Sequence, residues 1–334
     1  MELNYILPFQ YIIFLIAIMI ISGIVKTYGF LSDIFIVLSR ISSKRLQLFL
    51  VSLIGGILPI PGRVTVSASI LDSMAKPGKS RKKFGIIDYL SSHHYYLWSP
   101  LEKTVILPMA VLSITYQEYF EYMWPVIVIS FLFIFGYIFF IIKEEDIELK
   151  ISTKKFSLKS FFLKAFPLFF GIILLGFGYS PALTFIPIAG YYILISNSSI
   201  KKIFKYINWK LVLLLFIILI VSLFIKEHFA LFEQLLKNNH SLVYASFFSF
   251  TASWLMGSSG KYAGLASIII SIFGIHYLVW FLTIEFIAYN LSPTHKCIHI
   301  GRMYFNTPIN DYFNVIILWQ LLILIYAIVY TFVF

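Results

Sequence analysis

The sequence predicts an all-α polytopic membrane protein: an inverted repeat of about nine transmembrane helices plus two re-entrant hairpins and discontinuous helices. Three observations predict it. Hydrophobic residues make up 60% of the 334 and charged residues 12%, about half of the roughly 25% carried by a soluble domain. Apolar runs of membrane-crossing length recur from end to end. Four further apolar stretches are interrupted by Pro or Gly, and the interruptions come in matched pairs. A surface this poor in charge would not stay dissolved, so a soluble enzyme and a disordered chain are excluded. The single cysteine, Cys297, excludes a disulfide scaffold. The net charge of +11 would suggest nucleic acid in a soluble protein; here it reports loop orientation, and no nucleic-acid partner is expected.

The first ten residues carry no basic region, and no small-residue cleavage site follows the apolar run, so a removable signal peptide is not expected. Plain spans are predicted at 5–25, 123–142, 161–178, 181–197, 209–225 and 313–333, with 29–43 a shorter amphipathic candidate. Pro8, Pro125, Pro167 and Pro187 fall inside these stretches; bundled membrane helices tolerate Pro where neighbours satisfy the freed carbonyls.

The interrupted stretches read differently. Residues 46–75 are cut by Leu58-Pro59-Ile60-Pro61-Gly62-Arg63, and 241–275 by Gly257-Ser258-Ser259-Gly260-Lys261. Residues 85–115 and 276–304 carry Ser99-Pro100 and Ser292-Pro293. Pro removes a helical hydrogen bond and pushes the preceding residue out of the α region, and Gly clusters break a helix through conformational freedom. Such breaks at membrane depth are tolerated only where the backbone is buried in protein or lines a wet cavity. Gly62-Arg63 through Ser69-Ile70 aligns with Gly260-Lys261 through Ser267-Ile268, and Ser99-Pro100-Leu101-Glu102-Lys103 with Ser292-Pro293-Thr294-His295-Lys296. Two matches in one order point to a duplicated unit. The first repeat is assigned to 1–150 (hairpin 46–75, broken helix 85–115), a linker and connecting helix to 151–180, and the second repeat to 181–334 (hairpin 241–275, broken helix 276–304).

Charge sets the orientation. Arg40, Lys44 and Arg45 precede the first hairpin, and Lys76, Lys79, Arg81, Lys82 and Lys83 follow it. Basic flanks are cytoplasmic, so this element begins and ends on one side. The second hairpin has nearly neutral flanks and is expected to enter from outside. Tracing the spans places 19 of the 26 basic residues inside, with a cytoplasmic N-terminus in a multi-pass cytoplasmic membrane protein.

Inverted repeats with paired discontinuous helices are the sequence sign of a secondary transporter whose substrate binds near the midplane. Helix ends offer unpaired N–H groups and partial positive charge. Four cations, Arg63, Lys261, Lys103 and Lys296, lie at the four breaks, with one acid, Glu102, beside them. A charge at membrane depth is a functional-site hypothesis by default. The candidate substrate-binding residues are therefore Pro59, Pro61, Gly62, Arg63, Ser258, Ser259, Gly260, Lys261, Ser99, Ser292, Lys103 and Lys296, for a small anionic, carboxylate-like solute. The plainer readings are a simple kink at each Ser-Pro, snorkelling of Lys103 and Lys296 to an interface, and helix packing for Ser67, Ser69 and Ser267. Glu102 and His295 occupy equivalent positions and are the coupling candidates, with Asp88 and Glu285 also in or near apolar segments. Proton or Na⁺ coupling fits; no resident cofactor is expected. His93 and His94 adjoin and cannot share a helix face, and Cys297 has no CxxC partner, so no metal site is expected. An enzyme is not expected. A membrane-embedded enzyme or assembly factor acting on a lipid-linked substrate, and a passive anion channel, are the alternatives, and a homodimer stays open.

Gly55-Gly56-Ile57-Leu58-Pro59-Ile60-Pro61-Gly62, with Leu291-Ser292-Pro293-Thr294-His295-Lys296-Cys297 and Tyr304-Phe305 far downstream, resembles the DUF401 family of integral membrane proteins. That family looks related to the ion transporter superfamily, which includes gluconate, citrate and dicarboxylate permeases. The resemblance implies a prokaryotic inner-membrane protein with a transporter-like fold and supplies no substrate. In the superfamily, hairpin tips with Ser, Asn and Thr bind carboxylates and sodium. Here the tips carry Pro, Gly, Arg and Lys, a departure that argues against sodium coupling.

Overall fold

The apolar runs fold as helices, and among the described residues there is no strand; one isolated β-bridge joins Ala75 and Ile147. A computed structural model describes residues 6–30, 32–39, 43–54, 63–78, 80–148, 157–228, 241–257 and 259–333. The helices are α1 (Ile6–Tyr28), α2 (Ser32–Leu38), α3 (Lys44–Ile54), α4 (Arg63–Asp72), α5 (Ser80–His93), α6 (Lys103–Leu112), α7 (Tyr116–Gly136), α8 (Leu158–Lys164), α9 (Phe166–Gly176), α10 (Pro181–Ser196), α11 (Ile200–Tyr206) and α12 (Trp209–Glu227). After them come α13 (Ser241–Met256), α14 (Ser259–Phe273), α15 (Leu278–Asn290), α16 (Lys296–Phe305) and α17 (Ile309–Val333).

Among the described residues, three elements are long and apolar enough to cross a membrane: Phe9–Tyr28, Tyr116–Ile141 and Ile309–Val333. Counting each of two bent pairs, α8 with α9 (51°) and α11 with α12 (56°), as one span raises the number to five. This is fewer than the roughly nine spans expected by counting apolar runs of about 20 residues. The reason is that the stretches 29–43, 85–115, 181–197 and 276–304 hold only shorter helices: α2 has 7 residues and α10 has 16, while α5 and α6 (14 and 10) and α15 and α16 (13 and 10) are the two halves of broken helices. The 161–178 run is not one straight helix: it bends at Ala165, just before Pro167 in the first turn of α9. Pro is at home in a first turn, where its missing N–H costs nothing. The helix α7 starts earlier than expected, because Thr115 and Glu118 form a capping box, with Thr115 N–H donating to Glu118 Oε2 at 2.6 Å.

Both flanks of the first interrupted stretch gather at one end of the molecule. Arg45, in the first turn of α3, donates to Ile142 O at 3.0 Å, and Lys44 to Ile147 O at 3.2 Å. From the start of α5, Lys83 pairs with Asp146 at 2.7 Å and Ser80 donates to the same carboxylate at 2.5 Å. The strap 142–148 after α7 thus ties the N-terminal ends of α3 and α5 together, and α4 runs back between them. Arg81 clamps Asp72 at the end of α4 through two hydrogen bonds, 2.6 and 3.2 Å.

The second interrupted stretch behaves likewise. Trp280 Nε1 donates to Ser246 Oγ at 2.8 Å, Ser249 donates to Glu285, and Trp254 Nε1 donates to Leu291 O at 3.2 Å. Position rises together on both helices, so α13 and α15 run parallel, and α14 returns between them.

The 25 residues of α17 span about 37 Å at 1.5 Å per residue and act as a ruler. At its start, Thr307 donates to Lys82 O at 2.9 Å, beside the beginning of α5. At its end, His276 contacts Thr331 O at 3.1 Å and the Trp280 and Phe332 rings lie 5.2 Å apart, beside the beginning of α15. The helices α5 and α15 therefore start at opposite ends of α17 and converge. The convergence is packed against Tyr312, 6.1 Å from Tyr89, and against Trp319, 5.5 Å from Phe286. Beyond the breaks, α6 packs along α14, and α16 packs against α4 and α5. In α15 nearly every residue is buried, in keeping with its apolar circumference.

Candidate functional site

The two broken helices meet where they stop. The first leaves the α-helix at His93, passes through a short 3₁₀ turn, His94–Leu97, and resumes at Lys103; the second stops at Asn290 and resumes at Lys296. Neither half-helix beyond the break has a side-chain cap: Glu102 and His295 sit at the N-cap positions of α6 and α16 without a capping hydrogen bond. Uncapped first turns present N–H groups and positive partial charge to whatever faces them.

Between these ends lies a buried polar and aromatic cluster. The His93 ring stacks on Tyr89 at 4.0 Å, and His295 lies 4.1 Å from the Tyr289 ring. Tyr96 contacts both His93 (5.4 Å) and Tyr289 (5.8 Å). His93 Nδ1 is 2.7 Å from the Tyr89 carbonyl; that oxygen only accepts, so Nδ1 carries the proton and Nε2 presents a lone pair. Facing it at 3.0 Å is His295 Nε2. Cys297 Sγ completes a group whose three ligand atoms lie within 4.8 Å of one another. Tyr89 donates to Asn290 Oδ1 at 2.5 Å, while the fully buried Asn290 Nδ2 has no hydrogen-bond partner. The buried Ser99 Oγ also lacks one. An unpaired buried polar atom is costly, so these two mark places where a bound molecule could pair.

The second hairpin closes onto the second break. Ser292 Oγ donates to Trp254 O at 2.5 Å and contacts Thr294 Oγ1 at 2.8 Å. Gly257, at φ +52°, lies so close that an added Cβ would be 1.9 Å from Thr294 Oγ1.

The residues expected from sequence divide into three groups. Ser99, Glu102, Ser259, Ser292 and His295 are buried. Lys103 is half-buried, and the Lys261 and Lys296 side chains are exposed. Pro59, Pro61, Gly62 and Ser258 lie outside the described residues, and only the backbones of Arg63 and Gly260 are described, each in the first turn of its helix. Asp88 is buried, with Oδ2 3.6 Å from where a Gly301 Cβ would stand, and Glu285 is buried against Ser249.

Sequence reasoning missed His93, Cys297, Tyr89, Tyr289 and Asn290. His93 and His94 do diverge, as adjacent residues must: His94 accepts from Trp98 Nε1 at 3.0 Å and packs on Phe131. What brings His93 to His295 is the meeting of two elements 202 residues apart. The signal in the sequence was the aligned pair of Ser-Pro breaks, with His93 and Asn290 just before them. A groove of about 920 Å³ between α5, α7 and α17 lies elsewhere; its lining is mainly apolar, with Lys82 and Lys83 among the few charges.

All-helical structure, apolar elements of spanning length and a buried polar centre define an α-helical membrane protein. The chain belongs to the DUF401 family: that family's model, described as a protein of unknown function, matches residues 7–333. No curated protein matches the chain.

Proposed function

We propose that the chain is a secondary transporter, a permease for a small anionic solute of the carboxylate class, in the prokaryotic cytoplasmic membrane. The reading includes an inverted repeat and kinship with the ion transporter superfamily. The observation that carries it is the head-to-head meeting of two discontinuous helices, started from opposite ends of α17, with uncapped half-helix N-termini beside a buried polar cluster. Discontinuous helices in corresponding positions of two halves are the mark of a transporter binding site, and uncapped helix N-termini suit an anion. In this reading the solute pairs with Ser99 Oγ, Asn290 Nδ2 and first-turn N–H groups of α6 and α16. The hairpins α3–α4 and α13–α14 cover it from opposite sides, and Glu102 or His295 couples its movement to a proton.

The test is uptake and binding with purified protein in proteoliposomes, across mono-, di- and tricarboxylates. Ser99→Ala removes a hydroxyl that bonds nothing else, so the fold is expected to hold. Solute affinity is expected to fall roughly tenfold, the worth of one hydrogen bond to a charged group. Asn290→Asp keeps the acceptor for Tyr89 and replaces the donor with an oxygen, and should abolish anion binding. If no carboxylate binds or moves, or if both variants behave as wild type, the reading fails.

A further inference from the structure

We propose that His93, His295 and Cys297 form a three-ligand site for a transition-metal ion of the Zn²⁺ class, built where the two broken helices meet. Nitrogen and thiolate sulfur are the ligands of such an ion, and a site with three protein ligands keeps a fourth position open.

The local backbone makes the arrangement possible. In a continuous helix, side chains two residues apart point away from each other. His295 is the N-cap of α16, with extended backbone (φ −72°, ψ 98°), so it and Cys297 can turn to the same side. His93 ends α5 and comes from the other half of the chain. Its Nδ1–H donates to the Tyr89 carbonyl at 2.7 Å, the outer-shell bond that fixes a metal-binding imidazole and leaves Nε2 as the donor atom. His295 presents Nε2 to the same point. Tyr89 and Tyr289, at 4.0 and 4.1 Å from the two imidazoles, hold the rings in place.

The distances leave room for an ion with a small adjustment. Bonds of about 2.0–2.1 Å to nitrogen and 2.3 Å to sulfur put tetrahedral ligands about 3.3 Å (N to N) and 3.6 Å (N to S) apart. The observed nitrogens are 3.0 Å apart, and all three ligand atoms lie within 4.8 Å of one another. Opening the histidine pair by a few tenths of an ångström and turning the cysteine inward suffices. Both histidines are buried and Cys297 is half-buried, so an ion would be shielded on the histidine side and reachable from the cysteine side. Without an ion, the same contact is a simple hydrogen bond, with His295 Nε2–H donating to His93 Nε2. Ion and hydrogen bond exclude each other, because the proton occupies the lone pair the metal needs.

The experiment uses the full chain, purified in detergent without a polyhistidine tag, loaded with Zn²⁺ or Co²⁺ and desalted. Elemental analysis is expected to find one ion per chain, and Co²⁺ to give a thiolate-to-cobalt charge-transfer band. Cys297→Ser should remove that band, and Cys297→Ser and His295→Gln should each weaken Zn²⁺ binding at least roughly tenfold. Lys296→Ala, whose side chain is exposed between the two ligands, should change neither. No retained ion in the wild type, a cobalt spectrum lacking the charge-transfer band, or unchanged binding in Cys297→Ser would each overturn the proposal. The wild-type spectrum decides it even if a variant fails to fold, and none of these readings depends on transport.

Discussion

At the scale of single residues, Gly257 and Asp146 show how local chemistry holds the larger arrangement. Gly257 combines a left-handed backbone with a close approach to Thr294, where an added Cβ would also stand 3.1 Å from the Thr294 carbonyl carbon. Gly257→Ala is therefore expected to lower stability by about 1–3 kcal/mol, seen as a lower melting temperature in detergent. Gly190→Ala, on a helix with open space around it, should be neutral or slightly stabilising. Burial would raise the Asp146 carboxyl, but hydrogen bonds from Lys83, Ser80 and the Lys143 N–H outweigh it and hold it below the usual carboxylate range. Such a group stabilises the fold above its unfolded pKa, near 4. That stabilisation is lost as pH falls through the lower folded value. Wild type should lose melting temperature on acidification below about pH 4, and Asp146→Asn should lose part of that dependence; identical acid profiles would contradict the assignment. The same scale holds what the sequence could not show. Cys297 lies two residues from His295, but His93 is 202 residues away, so no local spacing rule joins it to the other two.

At the scale of elements, the legible part was large. The interruptions at Ser99-Pro100 and Ser292-Pro293 appear where expected, because Pro and its preceding residue resist the α conformation wherever they occur. The cut at Gly257 appears for a related reason, a positive φ that Gly alone adopts at no cost. The lengths of plain spans were less legible. Apolar composition at 161–178 and 209–225 does not reveal the bend of 51° at Ala165 or that of 56° just before Trp209, because hydropathy carries no information on helix direction. The start of α7 was written in Thr115 and Glu118 and lies outside the apolar window that located the span. The lysines differ in another way: charge and break position suggest Lys261 and Lys296 as anion ligands, and the structure shows both side chains exposed and Lys103 half-buried. Long flexible stems let an ammonium leave an apolar interior, so a lysine's sequence position does not fix where its charge sits.

At the scale of the whole molecule, the prediction concerns sidedness. In a Cys297→Ser background, Lys79→Cys and Asn239→Cys should label with an impermeant thiol reagent from opposite faces of the membrane. Labelling from the same face would remove the inverted arrangement and, with it, the transporter reading. The expectation rests on the contacts that start α5 and α15 at opposite ends of α17, and on the basic residues Lys44, Arg45, Lys83 and Lys143 collected around the 142–148 strap.

By itself the sequence determined the class: too few charges for a soluble surface, apolar runs that must form helices in a membrane, and breaks set by Pro and Gly. These are local properties, fixed by composition and backbone sterics. Only the tertiary structure decided which chemistry meets at the breaks. The pairing of His93 with His295 and the unpartnered Asn290 Nδ2 arise from how helices about 200 residues apart converge. Packing sets that convergence, and no spacing along the chain encodes it.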